Sequence, residues 1–472
     1  MSQQTVDKAG NLPDPAEMAK TYAEVAQRAS RLLTQFMQKK AKEGASAPSD
    51  ELGVAKAFMD LSSRLMANPY KLAQTQMNMM WDYFSLWQNT TMKMMGMPVP
   101  SPVAAPRKGD NRFKDEEWEQ HFLFDFVKQS YLITARHLHD TVAGAEGLDE
   151  ATQLKVNFFT RQYIDALSPS NFALTNPEVF RETVKSHGQN LIKGLNNLLK
   201  DVTDDGQLRI RMTDTSAFEM GKNVATTPGK VIFQNELFQL IQFDPATPDQ
   251  YKRPFLIVPP WINKYYILDL REKNSMIKWA TDQGRTTFVI SWVNPDEKLA
   301  AKSFEDYLIE GSMEAISQVC AQTGEDSVDM AGYCLGGTLV MTTLAYMAAK
   351  KDKRGNSGTF FTTMLDFSEP GELRVFLDEA TVAGLEKKMF ARGYHDGGMM
   401  AGTFNMLRAN DLIWSFVVNN YLLGKDPFPF DLLFWNSDST RLPAAMHSYY
   451  PVSYTHLRAH ETDSYLVCRL LL

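Results

Sequence analysis

Ser327-Val-Asp-Met-Ala331, followed by Gly332-Tyr-Cys334-Leu-Gly336-Gly337 and then an apolar run to Lys350, is the stretch on which the fold turns. Its first five residues read as a short buried strand, and residues 336–350 as a helix. A cysteine at the turn between them, with glycine two before and two after, has the form of a nucleophile elbow. The backbone there is strained, and small flanking residues let strand and helix pass without a Cβ clash. On this reading Cys334 is the covalent nucleophile, Gly332 and Gly336 are the elbow glycines, and the Leu335 N–H at the helix start is one oxyanion donor. The bland alternative is a buried cysteine in a glycine-rich turn, and the strand-turn-helix setting argues against it.

Working outward, residues 230–233 and 238–243 read as an antiparallel hairpin, and 254–258, 286–292 and 359–365 as further strands. Helices are expected over 274–283 and 304–323. Strand and helix alternate through short loops, which implies right-handed crossovers and a parallel sheet covered on both faces, an α/β domain. The loop Pro259-Pro-Trp261-Ile262-Asn263 leaves the strand two positions before the elbow strand, and it can supply a second oxyanion donor. Proline has no N–H, so the donor is Trp261 or Ile262. From Pro370 to Tyr450 the alternation fails, and this part reads as a cap, with a helix over 408–421 and the aromatic, proline-rich stretch 426–435.

The first two hundred residues carry helical periodicity instead, over 14–40, 51–66 and 77–97, and from Trp118 to about Lys200. Pro98-Val-Pro-Ser-Pro-Val-Ala-Ala-Pro106 interrupts them as a stiff linker. The division is therefore 1–200 helical, 201–369 α/β core, 370–450 cap, and 451–472 a tail unlike the rest. Met77, Met80, Tyr83, Phe84 and Trp87 share one helix face, which ordinary core packing explains, with a partner surface or polymer as the alternative.

A net charge of −7 argues against general nucleic-acid binding, and three cysteines in 472 residues cannot form a disulfide framework. No signal peptide or membrane-spanning run is evident, so a cytoplasmic protein without a transmembrane segment is expected. No Walker loop, CxxC pair or HExxH motif supports phosphate or metal chemistry. His137 and His139 are two apart and face different ways, and Cys320 reads as core. The base that a thiol nucleophile needs is not evident: Asp366 terminates a strand, His395 sits in a glycine-rich loop, and His447 reads as a helix-face residue.

The elbow together with Val258-Pro-Pro-Trp-Ile-Asn-Lys-Tyr-Tyr-Ile-Leu-Asp-Leu270, Ser291-Trp-Val-Asn-Pro-Asp296, Phe361-Thr-Thr-Met-Leu-Asp-Phe367, Arg408-Ala-Asn-Asp-Leu-Ile-Trp414 and Phe434-Trp-Asn-Ser-Asp-Ser-Thr-Arg-Leu-Pro443 resembles a class I polyhydroxyalkanoate synthase, the bacterial polyester polymerase. Asp110-Asn-Arg-Phe and Phe218-Glu-Met-Gly-Lys-Asn-Val add to the likeness, which covers residues 110–450. The resemblance implies an α/β-hydrolase-like fold, its sheet incomplete at the C-terminal edge, preceded by a helical domain that aids dimerisation and granule association. It implies an acyltransferase that polymerises short-chain (R)-3-hydroxyacyl-CoA through a Cys334 thioester. CoA arrives on the substrate, and no other cofactor and no metal are called for. The implied partners are the growing polyester, the granule surface with its coat proteins, and a second copy of the chain, placing the protein on cytoplasmic granules.

The family's catalytic Asp and His lie beyond the cap, after two further strands. Residues 451–472 resemble translated extraneous sequence joined to a truncated frame, so His456, His460, Asp463 and Cys468 are given no role. The chain is then expected to carry the nucleophile but little activity. A thioesterase or lipase-like hydrolase using the same elbow, and a non-catalytic granule-binding fragment, are the alternatives.

Overall fold

A computed structural model describes residue 27 and residues 52–99, 101–203, 208–367 and 370–454. Six strands form the central sheet: β1 (Gly229–Gln234), β2 (Phe238–Phe243), β3 (Phe255–Val258), β4 (Thr287–Trp292), β5 (Val328–Tyr333) and β6 (Gly355–Phe361), in the order β1-β2-β4-β3-β5-β6. β3 pairs in parallel with β4 and β5, and β5 in parallel with β6. The β1–β2 hairpin joins the edge through an antiparallel β2–β4 pair. This is an α/β-hydrolase-like, mostly parallel sheet, with β6 as the edge among the described residues.

Both faces of the sheet are covered because successive residues of a strand point to opposite sides. Leu256, Val258, Phe288, Ile290, Val328 and Met330 enter one core, against Ile316 and Val319 of the Glu314–Thr323 helix and Leu339, Val340 and Met347 of the Leu335–Lys350 helix. Ile257, Val289 and Ala331 enter the other, against Ile277 of the Met276–Asp282 helix. Full burial of such a side chain stabilises by about 1.5–3 kcal/mol, so strands buried on both faces are firmly anchored.

β6 starts four residues earlier than its apolar pattern suggests. Its first half is Gly355-Asn-Ser-Gly358, and a Cβ on Gly355 or Gly358 would stand 2.8 or 2.9 Å from the methyls of Leu344. The helix packs its leucine where strand side chains would be, which erases the alternation that marks a strand.

The chain forms two compact units: residues up to Met212 together with Arg408–Pro427, and Thr213–Leu407 together with the residues from Phe428 on. The first is helical, with Val54–Ala67, Pro69–Met94, Phe122–Ala143, Glu150–Ala166, Pro177–Lys185 and Gln189–Asp201 as its principal elements. Asn68 and Asn176 cap helices that begin with proline, the Asn176 side chain accepting from the N–H groups of Glu178 and Val179. The expected helix over 14–40 lies outside the described residues, Gln27 excepted.

Within the stretch 98–106, expected to act as a stiff spacer, Val103 and Ala104 lie against a helix. Ala104 is buried with Leu86 and Ile133, and the Gln129 side chain accepts from the N–H groups of Val103 and Ala104. The cap is not one piece either, since Arg408–Pro427 returns to the helical unit. There Gly194 meets Tyr421 so closely that an added Cβ would stand 1.8 Å from its carbonyl oxygen, and Tyr421 Oη donates to Asp201.

The methionine-rich helix corrects the packing expectation. Pro69–Met94 buries Leu86 and packs Met79 and Tyr83 inward, whereas Met77, Met80, Trp81, Phe84 and Trp87 are all at least 47 % exposed. Tyr83 turns away from the others because its hydroxyl reaches the Ser130 carbonyl on Phe122–Ala143. The buried stripe is thus 79, 83 and 86, and the aromatic ridge lies on the outer side.

Candidate active site

Cys334 stands between β5 and the Leu335–Lys350 helix with φ 53° and ψ −122°, a conformation that costs a non-glycine residue about 1–3 kcal/mol. Surrounding contacts hold it there. Its N–H donates to the Phe361 carbonyl at 2.9 Å, and its own carbonyl accepts from Gly337 at 2.9 Å and Thr338 at 3.3 Å. A Cβ on Gly332 would stand 2.3 Å from Gly337 Cα, and one on Gly336 would stand 2.0 Å from the Val258 carbonyl oxygen at the end of β3. No side chain fits at either position. Gly337 is equally obligatory, with an added Cβ 1.9 Å from Thr363 Oγ1. The sequence pattern gave that third glycine no role, because its neighbour comes from a loop beyond β6.

The thiol is half-buried, and burial pushes its pKa up, opposed by the Leu335 N–H. Among the described residues no side chain hydrogen-bonds it. Cys320, on the Glu314–Thr323 helix, packs against the sheet core, and burial raises its pKa with Arg354 acting against the rise.

The loop after β3 begins where the helix start passes Val258 and Pro259, and polar groups pin it at several points. The Trp292 indole donates to the Pro259 carbonyl at 2.8 Å, and the Thr440 hydroxyl donates to the Trp261 carbonyl at 2.7 Å. Trp435 donates its indole N–H to the Lys264 carbonyl at 2.7 Å. Asp438 pairs with Lys264 at 2.7 Å and accepts from Tyr266 Oη at 2.9 Å, and Asn263 bridges to Ser439. Trp261 itself is buried in an aromatic group with Trp292, Phe304 and Tyr307.

Comparison with known proteins adds to this geometry. Residues 109–280 match the family model described as the N-terminus of poly-beta-hydroxybutyrate polymerase (PhaC). A poly(3-hydroxyalkanoate) polymerase subunit PhaC of Rhizobium meliloti is 46% identical over 440 residues, covering 93% of this chain and 72% of that one. The chain belongs to the poly(3-hydroxyalkanoate) polymerase family. A poly(3-hydroxyalkanoate) polymerase of Methylorubrum extorquens is also 46% identical, over 92% of this chain and 74% of its own length. Among solved structures, a probable hydrolytic enzyme of Pseudomonas aeruginosa aligns over 52% of this chain and 70% of its own at 12% identity, with a TM-score of 0.27.

The remaining candidates of this family member fall elsewhere. His395 lies on a two-residue strand, Tyr394–His395, paired with Leu442–Pro443. His447 lies on the helix Ala444–Tyr454, and the two rings stack 4.6 Å apart at 6°. Both are buried, and burial pushes both pKa values down, that of His447 to about 3. Neither hydrogen-bonds Cys334. Asp366 follows β6 in the loop beyond Thr363. His137 pairs with Asp82 at 2.6 Å, and His139 faces Asp140 at 3.8 Å. His456, His460, Asp463 and Cys468 lie outside the described residues. Among the described residues no group of three or more His, Cys, Asp or Glu gathers to hold a metal, and no helix is long and apolar enough to cross a membrane.

The contacts of Thr440, Asp438 and Trp435 were missed by sequence reasoning. Their only sign is the density of short polar residues in Trp435-Asn-Ser-Asp-Ser-Thr440, an unusual run between two apolar segments. Chemically, the arrangement presents a thiol at a helix N-terminus, where backbone N–H groups favour developing negative charge.

Proposed function

We propose that this chain is a class I member of its family, an acyltransferase that polymerises short-chain (R)-3-hydroxyacyl-CoA through a thioester on Cys334. The thiolate sulfur bonds to the acyl carbon, the carbonyl electrons move to oxygen, and collapse of that oxyanion breaks the bond to CoA sulfur. The hydroxyl end of a polyester chain then attacks the Cys334 thioester and frees the thiol. The Leu335 N–H and one N–H from Trp261 or Ile262 receive the oxyanion in both steps. The observation that carries this reading is Cys334 itself, held at positive φ on a helix start by glycines that tolerate no side chain.

On the same reading the nucleophile is present, and no base meets it among the described residues. A thiol whose pKa is raised by burial, and which no side chain among the described residues hydrogen-bonds, is a weak nucleophile at neutral pH. The 472 residues alone are therefore expected to acylate slowly, and faster as pH rises. Dimerisation and attachment to cytoplasmic polymer granules and their coat proteins belong to this proposal as well. CoA enters as part of the substrate.

The test is 3-hydroxybutyryl-CoA with mass detection of the acylated chain and assay of released CoA. Cys334→Ala is expected to abolish both, and CoA release that persists in that variant sinks the reading. Free 3-hydroxybutyrate as the dominant product assigns the elbow to a hydrolase, and binding to polymer without acylation assigns the chain a granule-binding role.

A further inference from the structure

The contacts behind the β3 exit loop distinguish between Trp261 and Ile262. A trans peptide is planar, with the carbonyl of one residue and the N–H of the next pointing in opposite directions. Holding the Trp261 carbonyl therefore fixes the direction of the Ile262 N–H. Thr440 does this at 2.7 Å from a buried position, with both residues 3 % exposed. The Trp261 N–H belongs to a different peptide, shared with the Pro260 carbonyl. The Ile262 N–H itself makes no hydrogen bond among the described residues. Ile262 and Leu335 also pack on one core cluster, which keeps loop and helix start together.

We infer that Thr440 is a positioning residue that aims the Ile262 N–H, the second oxyanion donor, with Asp438 and Trp435 bracing the next turn of the loop. This rests on the acyl-transfer reading of Cys334. The carbonyls of Pro259, Trp261 and Lys264 are each taken by a side-chain donor, and Asp438 ties down the Lys264 ammonium and the Tyr266 hydroxyl. A loop with these three carbonyls occupied resists rotation of their peptides when charge appears in front of it. That is the preorganisation an oxyanion donor needs, since a donor that must turn first loses most of its advantage. The run 435–440 thus acts on the reaction without touching substrate.

The experiment is single-turnover acylation of Cys334 by 3-hydroxybutyryl-CoA, read by intact mass in alkaline buffer, where solvent supplies the thiolate. Alkylation of the same cysteine by iodoacetamide, which develops no oxyanion, runs in parallel. Thr440→Val is expected to acylate about 10- to 100-fold more slowly, below the loss of a whole donor, while its alkylation stays within about 2-fold of wild type. Thr440→Ser, which keeps the hydroxyl, should return acylation to within about 3-fold. Wild-type acylation in Thr440→Val overturns the inference, as does a parallel fall of acylation and alkylation, or a serine variant as slow as the valine one. Where Thr440→Val does not fold, Asp438→Asn at its part-exposed pair carries the test. A selective loss of acylation there supports the clamp, and an unchanged rate overturns it. A wild-type chain that never acylates overturns the Cys334 reading itself, and this inference with it.

Discussion

The elbow at Cys334 and the helix Pro69–Met94 carry the two most conspicuous sequence patterns in the chain, yet they are determined in opposite ways. At the elbow, backbone approaches backbone: Gly336 faces the Val258 carbonyl and Gly332 faces Gly337, so residue type follows from local geometry alone. On the helix, an equally regular spacing of methionine and aromatic residues faces outward, while a less regular stripe of Met79, Tyr83 and Leu86 meets the neighbouring helix. Periodicity identifies faces, and only the neighbours decide which of them is buried.

The largest effect that can sharpen this contrast comes from one methyl group at the elbow. In Gly336→Ala the added Cβ would lie 2.0 Å from the Val258 carbonyl oxygen, in backbone that cannot swing aside, so helix and strand must separate. Overpacking in a well-packed core costs about 1–3 kcal/mol, and a backbone clash lies at or beyond the top of that range. Chemical denaturation should show the loss. A Gly336→Ala chain of unchanged stability would mean that the elbow is not packed this closely.

Next come three substitutions on the helix. Leu86→Ala, at a fully buried position, is expected to cost about 2–5 kcal/mol. Phe84→Ala and Trp87→Ala, on the exposed ridge where the rings touch mainly each other, should change stability by about 0.5 kcal/mol or less. Thermal unfolding of the three variants checks the ranking. Equal losses would show that the ridge is covered in solution.

The same contrast explains what could be read from the sequence. β3, β4 and β5 are apolar on both faces, so their existence and parallel pairing followed from the pattern, and the elbow followed from its glycines. β6 was misplaced because Gly355 and Gly358 make room for Leu344, and Gly337 went unassigned because Thr363 reaches it from another loop. The cap was least legible. Its ties run from Thr440 to Trp261 and from Asp438 to Lys264, pairs more than 170 residues apart that leave no periodic trace. Polar contacts of this kind depend on a fold already formed, which a local window cannot register.

The last contrast concerns the cap's own anchor, where a titratable pair replaces steric fit. His395 and His447 stack in a buried site between the Tyr394–His395 strand and the Ala444–Tyr454 helix. Burial depresses both pKa values, with Asp396 pulling His395 back up and His395 pushing His447 further down. An unfolded histidine titrates near 6.5, so below that pH the unfolded chain binds protons that the folded pair refuses. Stability should therefore be complete above about pH 6.5 and decline as pH falls toward the folded value of about 3 for His447, by at most about 2 kcal/mol per histidine between pH 6.5 and 5. Denaturation midpoints at the two pH values measure the slope, and His447→Gln, which cannot charge, should flatten it by its share. A slope unchanged in that variant and in His395→Gln would assign the acid sensitivity to the carboxylates instead. The cap would then be held, like the elbow, by shape alone.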